Sequence, residues 1–255
     1  MRKALIGLVA MCLLTACSGS NDKKEVLNVA AASDLSGVFP ELEKAFEQAN
    51  PGVNVIATFG SSGMISAQIR NSGPFDVYLA ADTEYPNALV KDGFGDAPDL
   101  FTYATGQLVI WCRRDLGVDP ATIANGVDPK IEKFAIASPQ HAPYGKAAIA
   151  ALRSMKLDAA IRDKLVIGES VSQAAAYVTS GSAQAGMVSA SMTLLAETKD
   201  VGPSWVVPQD KYPKMEQTGM IVKATQHRAT AEKFREFLLG EKSKAALAKW
   251  GFGPQ

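Results

Sequence analysis

Serine recurs where short apolar runs give way to helical periodicity, and each such place is suited to holding an anion. Residues 27–31 read as a buried strand, while Leu35, Val38, Phe39, Leu42 and Phe46 share one face at helical spacing. Ser33 and Asp34 therefore stand at a strand-to-helix junction. The first N–H groups of a helix lack intrahelical partners, the macrodipole is positive there, and a hydroxyl adds a donor. Capping by Ser33 or Asp34 is the plainer explanation of one such junction. Repetition argues for more: Gly60-Ser61-Ser62-Gly63 follows the alternating run 53–59, Ala81-Asp82 closes the run 75–80, and Ser189-Ala190-Ser191 closes the run 185–188. Gly60 and Gly63 leave the backbone free to approach a ligand closely.

Other chemistries find less support. Gly60-Ser61-Ser62-Gly63 is not the G-x-S-x-G of a hydrolase elbow. The two histidines, His141 in a turn-rich loop and His227 in a polar stretch, suit solvated positions better than a catalytic pair. No H-E-x-x-H or C-x-x-C is present for a metal. Cys112 follows the apolar run 108–111 and reads as a buried structural thiol. Asp34, Asp76 and Asp82 offer carboxylates for a cation, but Asp34 and Asp82 fit helix starts, where a carboxylate offsets the dipole.

The elements that must position the serines alternate between strand and helix. This argues for an α/β fold with largely parallel sheets, in which ligands bind beyond the carboxyl ends of the strands. Ser33, Ser62 and Ala81 lie at such ends. A second series starts at 107–112 and continues with a strand at 134–137, the loop 138–145 and a helix carrying Ala148, Leu152 and Met155. After the run 165–167, Ser170 caps a helix with Val171, Ala174, Ala175 and Val178 inward, and Gly181 ends it. Two similar lobes with a cleft between them follow. Strands are expected at 205–207 and 219–222, then a helix capped by Thr230 and broken at Gly240, and a last one reaching Trp250. We place lobe 1 in 26–103 plus 209–255 and lobe 2 in 104–208.

Arg2 and Lys3 precede an apolar stretch, 4–14, too short to span a bilayer, so 1–16 read as a removable signal peptide. Residues 17–25 then form a polar tether. Taking away Arg2 and Lys3 leaves 24 Lys and Arg against 26 Asp and Glu, which gives no basic field for nucleic acid. No heptad seam or apolar face calls for an oligomer, so a monomer is expected.

Two resemblances sharpen the expectation. Leu14-Thr15-Ala16-Cys17 resembles the lipobox of bacterial lipoproteins, which implies acylation of Cys17 and a membrane anchor. A-A-A-S-D-L (30–35), F-G-S-S-G (59–63), G-P-F-D-V-Y-L-A-A-D (73–82), P-Y-G-K-A-A (143–148), S-V-S-Q-A-A-A-Y-V (170–178) and A-G-M-V-S-A-S (185–191) together resemble the periplasmic molybdate-binding proteins of ABC importers. That resemblance implies a type II periplasmic-binding-protein fold, no enzymatic activity and no cofactor. Its ligand would be molybdate or tungstate in the interlobe cleft, held without a balancing Lys or Arg and with no side chain ligating the metal, and its partners an ABC permease and ATPase. Sulfate, phosphate or a small organic anion is the alternative on the same fold. Carried over residue by residue, the contacts are the hydroxyls of Ser33 and Ser62 and the backbone N–H groups of Ala81, Tyr144 and Val171. The family commonly has a tyrosine where this chain has Ser189, which is too short to reach as far; the Tyr144 phenol or the Ser61 hydroxyl is expected to compensate.

Overall fold

The computed structural model describes residues 24–254. The expected signal peptide, Cys17 and most of the tether lie outside the described residues. Among the described residues ten strands form two five-stranded sheets. The first contains β1 (Glu25–Ala32), β2 (Val53–Gly60), β3 (Val77–Ala80), β4 (Leu100–Gly106) and β10 (Met215–Ile221), in the order β2-β1-β3-β10-β4. The second contains β5 (Leu108–Cys112), β6 (Phe134–Ala137), β7 (Leu165–Gly168), β8 (Ala185–Ser189) and β9 (Ser204–Val206), in the order β7-β6-β8-β5-β9. β10 runs against β3 and β4, and β5 runs against β8 and β9, so one strand in each sheet opposes the other four. The two lobes thus share one topology.

The helices are α1 (Phe39–Ala49), α2 (Ser62–Arg70), α3 (Glu84–Lys91), α4 (Pro120–Ile123), α5 (Pro143–Ser154), α6 (Asp158–Ile161), α7 (Val171–Thr179), α8 (Arg228–Leu239) and α9 (Glu241–Lys249). They cover both faces of each sheet, which is why the strands are apolar on both sides. Along β1, Leu27, Val29 and Ala31 face a core with Phe39, Phe46, Phe234 and Leu247. Ala30, on the opposite face, packs with Ile65, Tyr78 and Met220. Lobe 2 gathers around Trp111, Phe134, Ile136 and Met187.

Three local expectations are corrected. The helix expected to open at Ser33 is instead a 3₁₀ turn, Ser33–Leu35, and α1 begins only at Phe39, with Pro40 in its first turn. Thr230 does not cap α8; it is buried within the helix, which starts two residues earlier. Position 103 lies inside β4, so the first sheet extends to Gly106 and only Gln107 separates it from β5.

Candidate functional site

Five chain segments converge between the lobes. From lobe 1 come the 3₁₀ turn after β1, the start of α2 after β2 and the end of β3; from lobe 2 come the starts of α5 and α7. Together they wall a small, tightly closed cavity with about 10 Å³ of free space, bordered by Ser33, Asp34, Ser61, Ser62, Ala81, Tyr144 and Val171. Five of these were expected as primary contacts and Ser61 as an auxiliary one. Among the described residues no Lys, Arg or His borders it. A larger cavity between Phe75, Phe94 and Thr225 lies at the other end of the central strands of the first sheet, where β1 and β3 begin and β10 ends. Its ionisable groups have partners within the protein: Asp76 accepts from the Asn28 N–H and the Thr225 hydroxyl, Lys223 donates to Asp96, and His227 pairs with Glu25.

The local chain dictates which donors are free. Ser61 holds the extended backbone of a helix cap, yet its side chain makes no capping bond, and its Oγ is buried without a partner. Capping is thus ruled out as the use of that hydroxyl. Ser62 Oγ accepts the Ala81 N–H at 3.0 Å. The amide expected to reach a ligand directly is therefore committed to Ser62, whose own proton remains available for donation. Ser33 is nearly fully buried and borders the same cavity. The N–H groups of Tyr144 and Val171 belong to the first turns of α5 and α7, where no carbonyl lies four residues back within the helix. Ser170 is the true cap of α7, accepting the Gln173 N–H at 3.3 Å. Gly145 lets α5 begin this close to the sheet, because a Cβ there would collide with the Ala137 and Ser138 carbonyls.

Asp34 departs most from its expected role. It caps nothing: its Oδ2 accepts from Gln217 Nε2 at 3.0 Å, and its Oδ1 is buried without a partner. Burial raises its pKa to about 6, against the opposing effects of Tyr144, Gln217 and nearby backbone. Gln217 is anchored in turn by the Tyr103 hydroxyl, which donates to its Oε1 at 3.1 Å. The Tyr144 phenol belongs to the same group. A Cβ built on Gly106 would fall 2.5 Å from the Tyr144 hydroxyl and 2.7 Å from Gln217 Nε2, and neither Gly106 nor Gln217 borders the cavity. The phenol thus lies beside Asp34 and Gln217, whereas the Ser61 hydroxyl borders the cavity without a partner. Ser189 does not border the cavity either. Its hydroxyl lies 2.9 Å from that of Ser191, which donates to the Asp34 carbonyl at 2.7 Å and so ties lobe 2 to lobe 1.

Further bonds join the lobes at the cleft mouth. The Gly63 N–H donates to the His141 carbonyl at 2.8 Å, and the Tyr85 hydroxyl to the Gln140 carbonyl at 3.2 Å. Lys146 Nζ meets Glu84 Oε2 at 2.6 Å and lies 4.9 Å from the Tyr85 ring centre. A Cβ on Gly63 would fall 2.7 Å from the Tyr85 hydroxyl oxygen and 2.8 Å from the His141 carbonyl, so glycine is required for this approach. His141 itself is exposed, and its contribution to closure is a carbonyl. Cys112 is buried, which pushes its thiol to about 12 and makes it a poor nucleophile. Among the described residues no His, Cys, Asp and Glu group could hold a metal ion, and no helix is long and apolar enough to cross a membrane.

Asp34's partners leave no local signal in the sequence, because Gln217 and Tyr144 stand far from it along the chain. Comparisons with known proteins agree with the geometry. The family model described as bacterial extracellular solute-binding protein matches residues 27–253. The molybdate-binding protein ModA of Azotobacter vinelandii is 34% identical over 232 residues, 90% of each chain. That of Rhodobacter capsulatus is 33% identical over 223 residues, covering 88% of this chain and 86% of its own. The solved structure of the Azotobacter vinelandii periplasmic molybdate-binding protein superposes with a TM-score of 0.82 at 32% identity, covering 90% of this chain and 100% of that one.

Proposed function

The chain belongs to the bacterial extracellular solute-binding protein family, and from that premise we propose that it captures molybdate, and tungstate with it, between its lobes for delivery to an ABC permease. Such a protein binds and hands over its ligand rather than transforming it, and it works outside the cytoplasm. The observation that carries the ligand class is a cavity bordered, among the described residues, by no Lys, Arg or His, into which lobe 1 brings serine hydroxyls and both lobes bring helix N-termini. A dianion leaving water needs its hydrogen bonds replaced, and donors fixed at helix ends replace them with little reorganisation. With no cation supplying bulk attraction, selection falls to cavity size and donor geometry.

In this reading the hydroxyls of Ser33, Ser61 and Ser62 and the amides of Tyr144 and Val171 hold the oxyanion, and Ala81 acts by orienting Ser62. No side chain ligates the metal. Lobe 1 comprises residues up to Gly106 plus the segment from about 209 onward. Closure of lobe 2 upon it is what the permease and its ATPase would recognise. Cys17 carries the lipid that keeps the monomer at a membrane surface. A second reading has one observation in its favour: as a carboxylate, Asp34 would accept a hydrogen bond from a protonated oxyanion such as hydrogen phosphate.

Thermal unfolding of residues 22–255 with molybdate, tungstate, sulfate or phosphate at matched ionic strength tests the proposal. A ligand at about 100 times its Kd adds roughly 2.7 kcal/mol. Molybdate and tungstate alone are expected to raise Tm. A shift with phosphate alone would move the assignment to the second reading, and no shift with any anion would remove the oxyanion altogether.

A further inference from the structure

Asp34 is hard to reconcile with a site built to surround a dianion by donors. It is fully buried, borders the cavity and keeps one carboxyl oxygen without a partner. The groups facing it give it no positive charge. From β10 comes the neutral amide of Gln217, from α5 the phenol of Tyr144, from β4 the phenol of Tyr103, and from the turn after β8 the hydroxyl of Ser191, which reaches only its backbone carbonyl. Both phenols are pushed well above their ordinary range, chiefly by burial, so neither supplies nor removes charge near neutrality. At the start of α7, which also borders the cavity, Val171 is apolar. A second negative charge entering here meets a carboxylate with no counter-ion in surroundings that screen charge poorly.

We propose that Asp34 is the specificity-determining acid of the cleft: capture of a fully deprotonated tetrahedral dianion is accompanied by uptake of one proton from solvent onto its carboxyl group. The loaded cleft then holds a neutral acid beside the dianion, and no bond of the anion is made or broken. The free oxygen becomes a hydroxyl donor, joining a set that otherwise consists of donors. An anion that brings its own proton needs no uptake, because the carboxylate then serves as its acceptor. Asp34 thus distinguishes anions by protonation state, where the rest of the wall distinguishes them by size. The pKa of about 6 in the empty protein means that the carboxyl is within reach of protonation but mostly ionised at pH 7.5.

This inference rests on the oxyanion reading above, and the test separates the two. Molybdate is titrated calorimetrically at pH 7.5 in buffers of different ionisation enthalpy, and its affinity is followed from pH 5 to 8.5. The expected result is uptake approaching one proton at pH 7.5 and little at pH 5. Affinity should be level below about pH 6 and fall toward tenfold per pH unit above it. Asp34→Asn should bind with no uptake and nearly flat affinity, and it leaves His141 in place, so uptake persisting in this variant would overturn the assignment to Asp34. Wild-type binding with no uptake and no pH dependence would overturn the inference while keeping the oxyanion reading, and needs no variant to fold. Absence of molybdate heat at every pH would overturn both.

Discussion

Ser61 and Ser62 are adjacent, buried and chemically identical, yet the structure assigns them separable costs. Replacing Ser62 by alanine removes the acceptor of the Ala81 N–H, held at 3.0 Å in a buried setting. An amide left buried without a partner costs about 1–3 kcal/mol. In a chain of this size each kcal/mol moves Tm by about 2–4 °C, so the empty Ser62→Ala protein should melt several degrees lower. Replacing Ser61 by alanine removes a hydroxyl whose Oγ has no partner, so the empty protein should be unchanged or slightly more stable. Binding should fall in both. A hydrogen bond to a charged group contributes about 1.5–3 kcal/mol, which is roughly a tenfold to hundredfold weaker Kd. Differential scanning calorimetry of the empty proteins and titration with molybdate read the two quantities apart. If Ser61→Ala lowers the empty-state Tm as far as Ser62→Ala does, or if both keep wild-type affinity, the division of labour drawn from these distances is wrong.

Asp34 gives a stability signature in the empty protein. Its folded pKa of about 6 lies above the ordinary 3.8, so the folded chain holds a proton that the unfolded chain releases between those values. Its favourable contribution is present at about pH 4 and below and is lost as pH rises through 6, a difference of roughly 3 kcal/mol. Melting curves should therefore show Asp34→Asn more stable than wild type at pH 8 and the advantage gone at pH 4. Gly63→Ala forces a Cβ against the Tyr85 hydroxyl and the His141 carbonyl; small-angle scattering should find the molybdate-loaded variant more open, with affinity lowered at least tenfold. Arg228 donates to both oxygens of buried Asp99 from a half-exposed position. Arg228→Ala should lower stability by about 3 kcal/mol, the low end for breaking a buried pair, and leave Kd unchanged, as calorimetry and titration would report.

The fold was legible because its signals are local. Strand β6 appears in the chain as the unbroken run Phe134–Ala137, and Gly181 and Gly240 mark the ends of α7 and α8 within a residue or two. β4 escaped notice because its sequence, LFTYATG, places polar threonines among apolar residues, so its pattern does not declare a strand buried beside β10. The start of α1 was misjudged because the apolar spacing from Leu35 continues unbroken, although Ser36 and Gly37 interrupt the helical backbone. At the site, residue types at strand ends identified most of the wall. What they could not convey is how donors are already paired. Ala81 spends its N–H on Ser62, nineteen residues away, and Asp34 turns to Gln217, 183 residues away.

The position of β10 has a consequence for the order in which this molecule can be assembled. It lies between β3 and β4, although it is the last strand in the chain. Every strand of the second sheet lies between Leu108 and Val206, so that lobe can close its sheet with no help from either terminus. The first sheet cannot. Until residues 215–221 arrive, β3 and β4 each expose an edge of unpaired backbone groups, the kind of edge that recruits other chains. The lobe that begins the sequence is therefore the one whose sheet needs the most distant pairing in the chain, the kind that costs most in loop closure. A chain cut short before Met215 would carry a complete second lobe and a first lobe split at its middle.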